Sequence, residues 1–160
     1  PTSDRVREAL FSMLGPLDGA RVLDLYAGSG ALGIEALSRG AAHVMLVERA
    51  RSAQTAIAAN LAAVGAGPDE AVLVRGAART AIRDASERGD AYDLVLLDPP
   101  YRDAPRLGPE LSQSLVRVLA PGGRVVAESD RRAPLHLTGL ILTHERRYGD
   151  TLISIHLHDA

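Results

Sequence analysis

Val22-Leu23-Asp24-Leu25-Tyr26-Ala27-Gly28-Ser29-Gly30-Ala31-Leu32-Gly33 is the stretch that decides the fold. An apolar-rich run meets an acid, passes through a glycine-rich turn and enters a helical pattern. This predicts a buried strand, a tight turn and a helix start. Gly28 and Gly30 permit backbone angles that a side chain forbids, and they let a ligand come close to the main chain. The following helix points N–H groups at such a ligand. Asp24, at the end of the strand, is expected to be an acceptor facing the same crevice.

Outward from this stretch, strand and helix patterns alternate. The first helix is expected within residues 1–14, capped by Ser3, with Thr2 or Asp4 as alternatives. Strand one covers about 21–25 and its helix about 31–39, ended by Gly40. Strand two is His43 to Val47, closing at Glu48, and a helix follows over about 50–64. Strand three is Ala71 to Val74, with a helix over about 78–88. Strand four is Tyr92 to Leu97 and runs into Asp98-Pro99-Pro100-Tyr101. A helix over about 108–119 stops at Pro121-Gly122-Gly123, and strand five is Arg124 to Glu128. Residues 129–138 hold at most a short helix. Strands six and seven, about 139–146 and 151–157, are joined by Tyr148-Gly149-Asp150. Five alternating units argue for a parallel sheet covered on both faces, and the short last connection argues for an antiparallel hairpin at one edge.

The totals narrow the function classes. A chain of 160 residues, 46% of them hydrophobic, fits one globular domain over 1–160 with a full core and argues against disorder. The formal net charge of -2 does not announce a nucleic-acid binder, although a local patch remains open. The absence of cysteine excludes disulfides and thiolate metal sites. The five histidines show no metal-ligand spacing, so no metal is expected. No apolar run has the length of a membrane span and no signal peptide is visible, so a cytoplasmic protein is expected. Nothing demands more than a monomer. The chain opens on Pro1 and not on Met, from which an upstream start is expected.

Gly28-Ser29-Gly30-Ala31-Leu32-Gly33 matches G-x-G-x-x-G, and Glu48 ends the next strand about 20 residues on, where an acceptor for ribose hydroxyls belongs. One carboxylate can accept from both hydroxyls of a ribose. The pattern suits a nicotinamide dinucleotide as well as other adenosine ligands. The plain alternatives are a strand-to-helix turn and a solvated strand end. Asp98-Pro99-Pro100-Tyr101 separates these readings. It follows a continuous apolar strand and should lie at the carboxyl edge of the sheet beside the glycine turn. Prolines lack N–H groups and have fixed φ, so the loop is rigid and rich in acceptors. Tyr101 adds a flat aromatic face. Such a loop suits the exocyclic amine of a planar base, whose hydrogens it would hold while positive charge develops on the nitrogen. Stacking on Tyr101 would hold a base that has left its own helix. The plain alternative here is a proline-rich turn with a surface tyrosine. Arg131-Arg132 and Arg146-Arg147 are open to two readings, phosphate contacts or a solvated charged face.

With these residues together, the sequence resembles the class I S-adenosylmethionine-dependent methyltransferases, and among them the RsmD-like family, which methylates guanine N2 in small-subunit ribosomal RNA. The marks are Pro1-Thr2-Ser3-Asp4-Arg5-Val6-Arg7-Glu8, Leu23 to Gly33, Glu35-Ala36-Leu37-Ser38-Arg39-Gly40-Ala41, Glu48, and Asp98-Pro99-Pro100-Tyr101. The resemblance covers nearly the whole chain. It implies a Rossmann-like α/β three-layer sandwich, with a seven-stranded, mostly parallel sheet whose last strand is antiparallel. It implies S-adenosylmethionine as methyl donor, S-adenosylhomocysteine as product, no metal, and ribosomal RNA or a small-subunit particle as partner.

By the same resemblance, Asp24, Tyr26, Ala27, Gly28 and Gly30 would cradle the methionine part of the donor. Glu48 would hold its ribose and Arg49 would lie along its adenine. Asp98, Pro99, Pro100 and Tyr101 would take the target guanine. Thr2, Ser3 and Arg5 would lie over the cleft. The family often carries Asp or Asn after strand three, where this sequence has Arg75-Gly76-Ala77-Ala78. Main-chain groups of Ala77 and Ala78 would then meet the adenine. A basic segment that relatives carry before the Pro-Thr motif is absent from this sequence, which implies good donor binding and poor RNA binding. The rival readings are an N6-adenine methyltransferase, a nicotinamide-dependent oxidoreductase and a non-catalytic RNA-binding module.

Overall fold

The computed structural model describes residues 3–159, with Tyr101 described in its backbone only. The chain forms two compact units, Pro1–Ala78 and Arg79–Ala160. Its strands make a seven-stranded mixed sheet of order β3-β2-β1-β4-β5-β7-β6, with helices around it and the last strand antiparallel, as expected. Among the described residues, no helix is long and apolar enough to cross a membrane.

The first unit runs α1 (Asp4–Leu14), β1 (Arg21–Leu25), α2 (Ala31–Ser38), β2 (His43–Glu48), α3 (Arg51–Ala63) and β3 (Ala71–Arg75). Its three strands are parallel, with Val22 opposite Val44 and Val44 opposite Ala71. Val22, Leu23, Leu25, Val44 and Leu46 are fully buried, so these strands read as near-continuous apolar runs. Ser3 caps α1 as expected, its Oγ accepting from the Val6 amide at 3.3 Å. Arg39, at the end of α2, bonds Glu35 at 2.9 Å and Glu8 of α1 at 3.1 Å, and its guanidinium lies 5.5 Å from the Phe11 ring centroid. These contacts fasten α1 to α2 beside the buried Leu10 and Phe11.

The second unit continues through α4 (Ala78–Arg88), β4 (Tyr92–Leu97), a short 3-10 turn at Tyr101–Asp103, α5 (Ala104–Val116), β5 (Leu119–Asp130), β6 (Ile141–Tyr148) and β7 (Thr151–Leu157). β4 and β5 are parallel, and β7 runs antiparallel to both β5 and β6. The starts of α5 and β5 depart from the sequence expectation, and the segment after β5 agrees with it. Helix α5 starts at Ala104 rather than near 108, because Pro105 falls in the first turn, where no N–H is needed. Strand β5 starts at Leu119, which pairs with Tyr92 before Arg124 pairs with Leu94, so Pro121-Gly122-Gly123 bulges out within the strand. Residues 131–140 hold no helix. Their amides find side chains instead, Leu135 N donating to Ser129 Oγ at 3.1 Å and Thr138 N to Ser112 Oγ at 2.9 Å.

Gly108 of α5 packs against this last segment so closely that a Cβ built on it would lie 2.2 Å from the His136 carbonyl oxygen. Alanine there gains about 1 kcal/mol of helix propensity but must displace backbone, at a cost of about 1–3 kcal/mol or more. Gly108→Ala is therefore expected to lower the urea midpoint. Gly67→Ala, where a Cβ meets nothing within 4 Å, should leave it unchanged or slightly raised.

Candidate active site

The glycine turn is held from three directions. Gly28 N donates to Glu48 Oε1 at 2.8 Å, Ala27 N donates to the Val47 carbonyl at 3.0 Å, and Asn60 Nδ2 of α3 donates to the Ser29 carbonyl at 2.9 Å. The second oxygen of Glu48 accepts from Ala50 N at 2.8 Å. Glu48 is only half-buried, and each of its oxygens has two lone pairs, so the carboxylate can still accept from a ligand. A Cβ on Gly28 would meet nothing within 4 Å, which leaves open space over the turn. At Gly33 the reverse holds: a Cβ would lie 3.0 Å from Asp24 Oδ2, Leu46 Cδ2 and Val44 Cγ1. The third glycine is thus a packing requirement of α2 against β1 and β2.

Asp24 is 2% exposed, and its Oδ2 accepts from Gly33 N at 3.1 Å. Helix α2 has Gly30 as its N-cap, with no side chain of its own to offer. Asp24 supplies that acceptor from the neighbouring strand and places negative charge at the positive end of the helix. Tyr26 has φ 59°, the only positive value on a non-glycine residue among those described, and this turns the chain from β1 into the loop.

Arg49 and Ala77 are exposed, and Ala78 is buried. Gly76 N donates to the Glu48 carbonyl at 3.1 Å, which brings the start of the Ala77-Ala78 segment to the end of β2. A chain of two side chains supports this corner, and the sequence reading gave neither of them this part. Arg75 Nη1 donates to Gln54 Oε1 at 3.1 Å, and Gln54 Nε2 donates to the Glu48 carbonyl at 2.9 Å. Their only sequence signal is a polar residue, Gln54, on the apolar face of α3. Asp24, Gly28, Gly30 and Glu48 are therefore gathered around one turn, with Arg49 and Ala77 beside it. Ser3 and Arg5 are exposed at the start of α1, and Thr2 lies outside the described residues.

In the second unit, β4 buries Leu94 to Leu97 and delivers Asp98 at its end. Asp98 is half-buried, Pro99 buried and Pro100 exposed. The Asp103 amide donates to the Pro100 carbonyl at 2.9 Å and closes the turn that follows. The Tyr101 side chain lies outside what is described. Leu97 of β4 pairs with Ala127 of β5, so Asp98 and Glu128, the latter 6% exposed, follow that pair on neighbouring strands. Burial, with the Glu128 charge second, pushes the Asp98 carboxyl up to about 7. Glu128 was not singled out in the sequence. Its signal is an acid directly after Val125-Val126-Ala127. Among the described residues, no cluster of His, Asp or Glu is arranged to hold a metal ion.

Comparison with known proteins agrees with the resemblance. Residues 1–157 match the family model described as Conserved hypothetical protein 95. The chain belongs to this family, the RsmD-like methyltransferases. It is 38% identical over 159 residues to the Bacillus subtilis protein named "Putative rRNA methyltransferase YlbH", covering 98% of this chain and 86% of that one. It is 44% identical over 103 residues to Ribosomal RNA small subunit methyltransferase D of Escherichia coli, a match spanning 64% of this chain and 50% of that protein. In structure it resembles the Escherichia coli protein titled "Putative methyltransferase yhhF", with a TM-score of 0.83, 35% identity, and 100% and 88% of the two chains covered.

Two outcomes follow from the geometry alone. Glu48→Ala removes the acceptor of two amides and is expected to cost about 1–3 kcal/mol. Hydrogen exchange at Gly28 and Ala50 should accelerate together, and unchanged protection at Gly28 would refute the clamp. For Asp98, the raised value means the folded state holds its proton more tightly than the unfolded state. The resulting stability is fully present below the unfolded value near 4 and is lost as pH rises through about 7. Asp98→Asn should therefore gain on the wild type in thermal midpoint as pH rises from about 4 to about 8, as measured by calorimetry in matched buffers.

Proposed function

We propose that this chain transfers a methyl group from S-adenosylmethionine to the exocyclic N2 of a guanine in small-subunit ribosomal RNA, in the bacterial cytoplasm. The observation that carries the reading is the Asp98-Pro99-Pro100-Tyr101 loop at the end of buried β4, with its leading carboxyl half-buried. The open space over Gly28 and the spare lone pairs of Glu48 fit the donor's methionine and ribose parts. Arg49 and the main chain of Ala77 and Ala78 fit its adenine. Names of the relatives supply the substrate class.

When bound, S-adenosylmethionine supplies an electrophilic methyl group on a positively charged sulfur. The chain's own work is positioning and electrostatics. Asp98 and the Pro99 carbonyl accept from the amine hydrogens, which fixes the nitrogen and favours the positive charge that develops on it. Tyr101 stacks on the base. Ser3 and Arg5, with Thr2, approach the RNA. A nicotinamide oxidoreductase would leave the acceptor-rich loop without a purpose.

Asp98→Ala is expected to lower methyl transfer to small-subunit particles by about 100-fold or more. Calorimetry with S-adenosylhomocysteine should show binding that survives. Near-wild-type turnover of this variant would overturn the assignment. Mass spectrometry of the product nucleosides should give N2-methylguanosine, and N6-methyladenosine would replace this reading by the adenine one.

A further inference from the structure

The two arginine pairs of the second unit have different surroundings. Arg131 Nε lies 3.2 Å from Asp150 Oδ1 and Arg132 Nη2 lies 2.7 Å from Asp130 Oδ2, so both charges are answered within the fold. Arg146 and Arg147 are exposed on β6, and neither has a carboxylate partner among the described residues. The Arg146 guanidinium donates to the main-chain carbonyl of Glu145 at 2.9 Å, which holds it at the strand and leaves its charge unanswered. Arg102, in the turn after the Asp98 loop, is exposed and equally unpaired among those residues.

Strand register places these groups. Leu97 of β4 pairs with Ala127 of β5, Ala127 with Ser154 of β7, and Ser154 with Glu145 of β6. Because β7 is antiparallel to both neighbours, β4, β5 and β6 run the same way. Arg146 and Arg147 therefore stand beyond Glu145 as Asp98 and Pro99 stand beyond Leu97, at the same edge of this unit's strands. Three strand spacings separate the two sites, about 14 Å. Successive side chains of a strand point to opposite faces, so the two guanidiniums lie on either side of the rim.

We propose that Arg146 and Arg147, with Arg102, grip backbone phosphates of the RNA strand whose base enters the Asp98 loop. The inference rests on the methyl-transfer reading of that loop. A guanidinium presents a planar fork that matches two phosphate oxygens, and it stays charged at any working pH. These arginines give up no carboxylate when a phosphate arrives, whereas Arg131 and Arg132 must. Phosphate contacts fix register without reading sequence. With the grip this close to the loop, only a few nucleotides span the gap, so the grip sets how far along the strand the reactive guanine can lie.

The test titrates a short fluorescent single-stranded RNA containing guanine with the protein, across about 0.05 to 0.2 M salt. On a single strand each phosphate contact contributes about 0.7 to the slope of log affinity against log salt. Arg146→Gln/Arg147→Gln is expected to flatten the slope by about 1.4 and to weaken binding about 10-fold or more at the lower salt. Arg102→Gln should flatten it by about 0.7. KM for small-subunit particles should rise with the loss of affinity, and affinity for S-adenosylhomocysteine should not move. Arg117→Gln is the control. Arg117 is also exposed and unpaired among the described residues, but it precedes the Leu119–Tyr92 pair at the opposite edge of the unit. An equal loss per charge in Arg117→Gln would reduce the effect to bulk charge and overturn the proposal. So would a wild-type slope in the double variant, or a wild type without salt-dependent affinity for the RNA. If the double variant self-associates, Glu145→Gln decides. Removing the one acid on β6 should tighten RNA binding about 2-fold or more, and unchanged affinity refutes the grip. A wild type that binds RNA as expected but transfers no methyl group defeats the methyl-transfer reading and leaves the grip standing. Methylation of particles, with the slope unmoved in the double variant, defeats the grip alone.

Discussion

The hydrogen bond from the Gly28 amide to the Glu48 carboxylate is the constraint on which the first unit depends. A turn with two glycines has little reason of its own to hold one shape, because each glycine gives up more chain entropy on ordering than any other residue. A Cβ built on Gly28 would meet nothing within 4 Å among the described residues, so packing does not confine it on that side. Glu48 replaces that missing packing by drawing the turn after β1 onto the end of β2, and its other oxygen fixes the chain entering α3. Hydrogen bonds to a charged acceptor are worth about 1.5–3 kcal/mol each. That is the scale needed to offset the left-handed backbone of Tyr26, which costs about 1–2 kcal/mol.

Acids stand at or near the ends of four strands, and their surroundings differ. Asp24 is buried and spends an oxygen on the first turn of α2. Glu48 is half-buried and divides its oxygens between two backbone amides. Asp98 is half-buried after β4, and burial, with the Glu128 charge second, pushes its carboxyl upward. Acidic residues at one kind of position thus yield a helix cap, a loop clamp and a carboxyl that holds its proton more tightly than usual. Which of these arises depends on what the neighbouring strand presents.

This also explains what was legible in the sequence. Strand, turn and helix around Gly28 could be read because the signal is local: apolar period, glycine spacing and a cap. Ser3 was readable for the same reason. The start of α5 was not, since Pro105 and Pro109 look like breakers until it is known which turn of the helix each occupies. The start of β5 depended on Leu119 meeting Tyr92, a pairing between distant residues that no local window contains. Asn60, Gln54 and Glu128 escaped notice for that reason. Each is an ordinary polar residue by itself and gains its meaning from a partner 31 residues away in the case of Asn60 and Ser29.

Strand β6 carries a different consequence. It closes one end of the sheet and is exposed from Ile141 through Arg147, with Ile141 and Leu142 about half uncovered. A bare strand edge with apolar residues on it is a template onto which another copy can stack. An in-register parallel copy would place Arg146 on Arg146 and Arg147 on Arg147, so like charge repels such growth. That protection is electrostatic and fades as ions screen it. Concentrated salt is therefore the solvent in which this chain is most prone to self-association and fibril growth.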